Sequence, residues 1–141
     1  MKWIVVLFLV QFIVGQSDEE DRVFRYVTCG SVVKLVHEAT GYRLHSHDIN
    51  WGSGSGQQSV TAVSTDADVN SLWQVSNAYG SIQCLSGTPI SCGSVVRLKH
   101  VRTQNFLHSH LHQAPLSHAQ EVSSIKSLFE VLGVLFYWRQ E

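Results

Sequence analysis

The tetrapeptide Leu44-His45-Ser46-His47 occurs a second time in this sequence, as Leu107-His108-Ser109-His110, 63 positions further on. The segment before each copy repeats at the same offset, because residues 29–35 (Cys-Gly-Ser-Val-Val-Lys-Leu) differ from residues 92–98 only by an arginine in place of the lysine. Composition alone does not produce a match of this length at a constant spacing. The sequence therefore contains an internal structural repeat.

Short β-branched runs dominate both copies and predict strands. In each copy, one such run leads through a polar turn into a second run that carries the tetrapeptide, which is typical of a hairpin. Residues 52–56 predict a glycine-rich loop, and residues 57–61 and 72–75 predict further strands. At the 63-residue offset, residues 120–123 correspond to a strand that begins at residue 57. We therefore predict an all-β repeat architecture, in which closure of a compact barrel usually takes three units.

Length, composition and charge limit the classes of protein to consider. The chain has 141 residues, of which 44% are hydrophobic and 15% charged, and these values are typical of a globular domain rather than a disordered chain. The formal net charge of -1, with ten lysines and arginines, gives no strong basic field. Nucleic acid is therefore not an expected partner.

The N-terminus predicts a secretory signal peptide over residues 1–17, because a positive start is followed by an apolar run and then by small residues. An acidic linker follows at 18–25. The apolar run is shorter than the roughly 20 residues that span a bilayer, so we expect cleavage and no membrane span afterwards. Residues 124–141 form an apolar tail of different character, which is also too short to span and carries Lys126 and Glu130.

Three cysteines remain after the predicted cleavage, in what is then an oxidising compartment. Cys84 and Cys92 flank a turn-rich segment, so we predict a disulfide between these two residues. A pairing of Cys29 with either of the others stays open, and every pairing leaves one free thiol.

The histidines of the two tetrapeptides are the candidate site residues. His45 and His47 are two apart in a predicted strand and therefore share a face, which would allow a two-ligand metal clip. No cysteine or carboxylate follows at a metal-site spacing, and the same tetrapeptide in both copies favours a structural role used twice. We therefore predict no metal and no cofactor. We also predict no enzymatic activity, because the serine beside each histidine points to the opposite face of its strand.

Several segments resemble the stromal cell-derived factor 2-like group of the MIR-domain family over about residues 22–123. The segments that carry the resemblance are 29–35, 43–47, 52–61, 87–90 and 107–110. The resemblance implies a β-trefoil of three MIR repeats. Repeat 1 would occupy residues 26–85 and a partial repeat 2 residues 86–123, with the third repeat absent, so we expect an incomplete trefoil.

The resemblance also implies residence in the endoplasmic reticulum lumen beside chaperones and a DnaJ-type co-chaperone. The chain ends without a His-Asp-Glu-Leu-type retention signal, so secretion is a second expected location. We predict a non-catalytic interaction module that binds client polypeptides and supports protein folding and quality control. The alternative is a carbohydrate-binding or O-mannosylation accessory module that contacts a glycan.

The predicted contact surface for a partner or ligand combines histidines with two aromatic residues. Its members are His45, His47, His108, His110, Trp51 and Tyr42. We predict that Trp73, inside a strand, belongs to the core and that Trp51, beside the glycine-rich loop, is the more exposed of the two.

Overall fold

The computed structural model describes residues 26–114 and 117–126, together with the backbone of two short strands at Val5–Val6 and Val134–Leu135. The predicted signal peptide, the acidic linker and most of the predicted apolar tail lie outside the described residues. No helix in the described ranges is long and apolar enough to cross a membrane.

The described part of the chain is all-β, as predicted, with one short 3-10 turn at Val69–Ser71. The strands are β1 Val5–Val6, β2 Val32–Val33, β3 Val36–His37, β4 Arg43–Asn50, β5 Gln58–Val63, β6 Trp73–Asn77, β7 Val95–His100, β8 Phe106–Gln113, β9 Gln120–Ile125 and β10 Val134–Leu135. They form one antiparallel sheet in the order β1-β3-β4-β5-β9-β8-β7-β6-β2, and β10 pairs with β7.

The two copies of the repeat have matching strands. β8 follows β4 at an offset of 63 residues, and β7 follows the segment from β2 to β3 at the same offset. β9 follows β5 at an offset of 62, because the loop before β9 is one residue shorter. Gln120 therefore corresponds to Gln58, and the predicted start of the first-copy strand at residue 57 is wrong by one position. Both hairpins have a register irregularity at the same place, after Ser46 and after Ser109.

The turn that precedes β4 is repeated before β8. His37 Nδ1 lies 2.8 Å from Thr40 Oγ1, and 63 residues later His100 Nδ1 lies 2.9 Å from Thr103 Oγ1. A histidine and a threonine at this spacing close the turn by a local side-chain hydrogen bond. The sequence pattern His-x-x-Thr is therefore part of the structural repeat.

The hydrophobic core lies between the strands of both copies. Trp73 is fully buried at its centre, where its Nε1 donates a hydrogen bond to Leu44 O at 3.0 Å and its ring lies 5.0 Å from that of His100. Trp51 is only partly buried, so the predicted order of exposure of the two tryptophans is confirmed. The other buried core residues are Val60, Val75, Val96, Leu98 and Leu107.

The disulfide differs from the predicted one. Cys29 is bonded to Cys84 across 6.2 Å between Cα atoms, and Cys92 is free and exposed, so the predicted pairing of Cys84 with Cys92 is wrong. The cause is a backbone pairing between distant segments. Cys29 N–H donates to Thr88 O at 2.8 Å, which holds Cys29 against the segment that follows Cys84.

Candidate functional site

A pocket of about 740 Å³ lies where the first copy meets the second. All of its lining residues are polar or charged, and they come from β4, β5, the 3-10 turn, the turn between β7 and β8, and the residue after β9. The lining residues are His45, His47, Asp48, Gln58, Asn70, Arg102, Thr103, Asn105 and Lys126.

A hydrogen-bonded network centred on Gln58 forms the floor of the pocket. Gln58 Nε2 donates to Ser46 Oγ at 2.7 Å and to Thr103 Oγ1 at 3.0 Å, and Gln58 Oε1 accepts from Asn105 Nδ2 at 2.5 Å. Ser46 is fully buried and itself donates to Ser59 O at 2.8 Å. The side chain of Gln58 therefore ties the first copy to the turn of the second, and Ser46 is held by the protein rather than presented to a ligand.

His45 and His47 line one wall of the pocket and are joined to the carboxylate of Asp68, which does not line it. Asp68 Oδ2 lies 2.7 Å from His45 Nδ1, and His45 Nε2 lies 2.8 Å from His47 Nδ1. Asp68 is the N-cap of the 3-10 turn, where its Oδ1 accepts from the Asn70 N–H at 3.2 Å. The turn after β5 therefore aims a carboxylate at the first tetrapeptide.

The environment shifts the pKa of two groups beside this wall. Burial alone raises the pKa of Asp68, but the hydrogen bonds that it accepts from Ser71, His45 and the Asn70 N–H outweigh burial and lower the pKa to about 2. Burial is the main cause that lowers the pKa of His100, which stands behind the pocket with its Nε2 2.9 Å from Asn70 O. Asp68 is therefore ionised and His100 neutral at neutral pH.

The rim of the pocket carries more positive than negative charge. Arg102 donates from Nη1 to Asn70 Oδ1 at 3.2 Å, and Lys126 is exposed at the end of β9. Asp48 is the one carboxylate among the lining residues. The rim thus offers strong hydrogen-bond donors to a ligand that supplies acceptors.

The second tetrapeptide has different neighbours. His110 Nε2 lies 3.3 Å from Oε1 of Glu121, which is fully buried, although the angles are not those of a hydrogen bond. Glu121 also accepts from the Ser55 N–H at 3.3 Å and from Ser55 Oγ. The glycine-rich loop of the first copy is thereby fastened to β9. We call this set of Ser55, His110 and Glu121 the latch.

The structure separates the six predicted contact residues. His45 and His47 line the pocket, whereas His110 belongs to the latch and His108 is buried. Trp51 Nε1 donates to Val122 O at 3.3 Å, and Tyr42 is exposed but does not line the pocket. Contact of these six residues with a ligand stays a prediction.

No group of three or more histidine, cysteine, aspartate or glutamate side chains among the described residues is arranged to hold a metal ion. The carboxylate of Asp68 contacts His45 through the ring nitrogen that points away from His47. These contacts form a hydrogen-bonded relay from Asp68 through His45 to His47.

Sequence reasoning missed the residues that build the pocket around the histidines. Asp68 lies 23 residues from its partner His45, and only its position as an N-cap gave a signal, through the pattern Asp-x-Asn-Ser at 68–71. Gln58 could have been found as the repeated glutamine that opens the last strand of each hairpin, had the 62-residue offset been known.

Comparisons with known proteins agree with this architecture. The MIR domain family matches residues 51–135. Stromal cell-derived factor 2 from Homo sapiens is 54% identical over 98 residues, which are 70% of this chain and 46% of that protein. The chain therefore spans about half the length of the curated relatives that it matches.

Two solved structures have a similar fold. The crystal structure of the stromal cell-derived factor 2-like protein from Arabidopsis thaliana matches with a TM-score of 0.67 at 47% identity, covering 71% of this chain and 55% of that chain. The structure of the S. cerevisiae protein O-mannosyltransferase Pmt1-Pmt2 complex bound to the sugar donor matches with a TM-score of 0.60 at 36% identity, covering 70% of this chain and 14% of that chain.

Proposed function

Since the chain belongs to the MIR-domain family, with its β-trefoil-like fold, and to the stromal cell-derived factor 2-like proteins within it, we propose that it is a non-catalytic recognition module. Its place of action would be the endoplasmic reticulum lumen, beside chaperones and a DnaJ-type co-chaperone that handle client polypeptides. The observation that carries the proposal is the pocket between the two copies, whose polar side chains are already hydrogen-bonded to one another and suit non-covalent binding.

The hydroxyl groups near the pocket support recognition rather than catalysis. Thr103 and His100 form a hydroxyl–imidazole pair that could be read as a nucleophile and its base. The same pair recurs as Thr40 and His37 in the first copy, away from the pocket, so its role is to close the turn. Ser46 is fully buried.

An apolar loop after β6 supports contact with folding factors. Ile82 is 94% exposed and Leu85 is 79% exposed, so this loop presents two large apolar side chains to solvent. Asn77 Nδ2 donates to Ser81 O at 3.2 Å and to Ile82 O at 2.9 Å, and the disulfide at Cys84 anchors the other side of the loop. Because the loop is fixed at both sides, its side chains lose little conformational entropy when a partner binds.

The experiment is affinity purification of the full chain from the endoplasmic reticulum of secreting cells, with chaperones quantified by mass spectrometry. We expect enrichment of a luminal chaperone together with a DnaJ-type co-chaperone over a tag-only control. The double substitution Ile82→Ser with Leu85→Ser should reduce the recovery, whereas the matched exposed substitution Glu38→Gln should not. Equal recovery from the full chain and the tag-only control would contradict the proposal.

A second candidate function, carbohydrate binding or O-mannosylation support, is favoured by the polarity of the pocket. Sugars present many hydroxyl groups, and the rim supplies donors from Arg102 and Lys126. The fold also matches part of a protein O-mannosyltransferase complex. Binding of the full chain to immobilised mannose-terminated glycans, lost in Arg102→Glu and kept in Arg43→Gln, is the expected result. Equal binding by both variants would contradict a role for the pocket.

A further inference from the structure

The contacts that join Asp68 to His45 and His47, two residues that line the pocket, determine which nitrogen atoms carry protons. Asp68 is ionised, so its oxygens only accept hydrogen bonds. The proton in the 2.7 Å contact with His45 must therefore sit on His45 Nδ1. In a neutral imidazole the other nitrogen then has a lone pair, so His45 Nε2 is an acceptor.

The same reasoning extends to the next residue. His47 Nδ1 lies 2.8 Å from this acceptor, so it must carry the proton and donate it. Neutral His47 is then left with an unprotonated Nε2. His47 lines the pocket, and no hydrogen bond from the described residues reaches its Nε2.

Gln58, at the floor of the pocket, has no free donor for the lone pair of His47 Nε2. Both hydrogens of Gln58 Nε2 are donated, to Ser46 and Thr103, and Gln58 Oε1 is occupied by Asn105. The floor thus leaves His47 Nε2 open to a donor from a ligand that enters the pocket.

We propose that Asp68 acts as a positioning residue which, through His45, makes His47 Nε2 a hydrogen-bond acceptor for a hydroxyl group of the bound ligand. Ligands with free hydroxyls bind, whereas the same ligands with these oxygens methylated cannot donate and are rejected. The inference rests on the proposed function only in that the pocket holds a ligand.

The experiment begins with the ligand-free full chain, labelled with ¹⁵N in its histidines. A long-range ¹H–¹⁵N spectrum at neutral pH distinguishes an unprotonated nitrogen from a protonated one. We expect His47 to have a protonated Nδ1 and an unprotonated Nε2. A proton on Nε2, or a mixture of the two tautomers, would overturn the proposal.

Substitution of Asp68 tests whether its carboxylate determines the tautomer of His47. In Asp68→Asn, the Oδ1 atom can keep the bond from the Asn70 N–H, so that an amide N–H faces His45 Nδ1 and reverses the proton order in both rings. We expect the tautomer of His47 to switch. Ser71→Ala is the matched control, because it removes another hydrogen bond to Asp68 and leaves the carboxylate in place. An unchanged His47 tautomer in folded Asp68→Asn would contradict the role of Asp68.

Two glycosides then test the ligand chemistry. Methyl α-D-mannopyranoside should bind at least about tenfold more tightly than its per-O-methylated derivative, which has no hydroxyl donor. Asp68→Asn should lose this preference and Ser71→Ala should keep it. Equal affinity of the wild-type chain for both compounds would overturn the proposal. If neither compound binds, the result contradicts the carbohydrate function instead, while the histidine spectrum decides the tautomer by itself.

Discussion

His45 and His47 border an open pocket and are joined to Asp68, whereas His110, the counterpart of His47, faces buried Glu121 and the glycine-rich loop. The two tetrapeptides have the same sequence and the same position in their hairpins. Their different surroundings come from other strands and turns.

One position of the repeat accounts for much of this difference. The second residue of the last hairpin strand is Ser59 in β5 and Glu121 in β9. Ser59 is small and donates to Ile49 O at 2.9 Å within its own hairpin. Glu121 reaches across to Ser55 and fills the space beside the second tetrapeptide. A repeated motif can therefore serve recognition in one copy and cohesion in the other.

The cysteines should give the largest contrast between the copies. Cys29 opens the first copy and is bonded to Cys84 across 55 residues of chain, whereas Cys92 opens the second copy and is free. Cys84→Ser should lower the free energy of unfolding by about 4 kcal/mol, because it releases a long loop in the unfolded state. Cys92→Ser should change it by less than about 0.5 kcal/mol. Urea unfolding under non-reducing conditions measures both free energies, and equal losses from the two substitutions would restore the pairing of Cys84 with Cys92.

The latch should be broken by a single methyl group. An added Cβ at Gly54 would overlap with Glu121 Oε2 and lie 3.3 Å from Gln113 O, in a backbone with φ of +74°. Gly54→Ala should therefore cost about 3 kcal/mol of stability. Gly56→Ala is the matched control, since its φ is +65° but no atom lies within 4 Å of the added Cβ, and it should cost only about 1 kcal/mol. Thermal unfolding that gives equal costs would show that Glu121 does not hold the loop.

Acidification should lower the free energy of unfolding in two stages, one through His100 in the second copy and one through Asp68 in the first copy. The pKa of His100 is lowered in the folded state, so stability falls as the pH drops below the ordinary histidine value of about 6.5. The pKa of Asp68 is lowered from 3.8 to about 2, so its contribution of about 2 kcal/mol is present above pH 4 and lost between pH 4 and pH 2. Denaturant titrations across this range should show both stages. A profile for Asp68→Asn as steep below pH 4 as that of the wild type would contradict the assignment.

The smallest contrast concerns the turns before β4 and β8. Gly41 has φ of +68°, and its counterpart Gln104 adopts φ of +63°, which costs a residue with a side chain about 1–2 kcal/mol. Gln104→Gly should stabilise the protein by about 0.5 kcal/mol, because relief of this strain exceeds the added entropy of the unfolded chain. A Gly41→Ala substitution should be destabilising. Calorimetry in which Gln104→Gly lowers the melting temperature would show that the two turns are not equivalent.

The strands and the repeat could be predicted because their signals are local. The β-branched runs, the hairpin turns and the burial of Trp73 follow from residues close together in the sequence. The exact offset of β9 could not be predicted, because a loop that is shorter by one residue is recognised only when the strands are paired.

The site depends on contacts between distant residues. Nothing near His45 indicates that a carboxylate 23 residues away will reach its Nδ1, and nothing near Glu121 shows that it will be buried against the glycine-rich loop. The disulfide prediction was wrong for the same reason. Backbone pairing of Cys29 with Thr88 brings Cys29 to Cys84, although Cys84 and Cys92 are closer in the sequence.

Chemical-shift mapping of the ¹⁵N-labelled full chain with methyl α-D-mannopyranoside tests the central distinction between the two tetrapeptides. We predict that the amide signals of His47, Asn70 and Thr103, at the pocket, move with ligand concentration, and that those of Ser55 and Glu121, at the latch, stay in place. Shifts centred on the latch, or no shift at the pocket, would contradict the account.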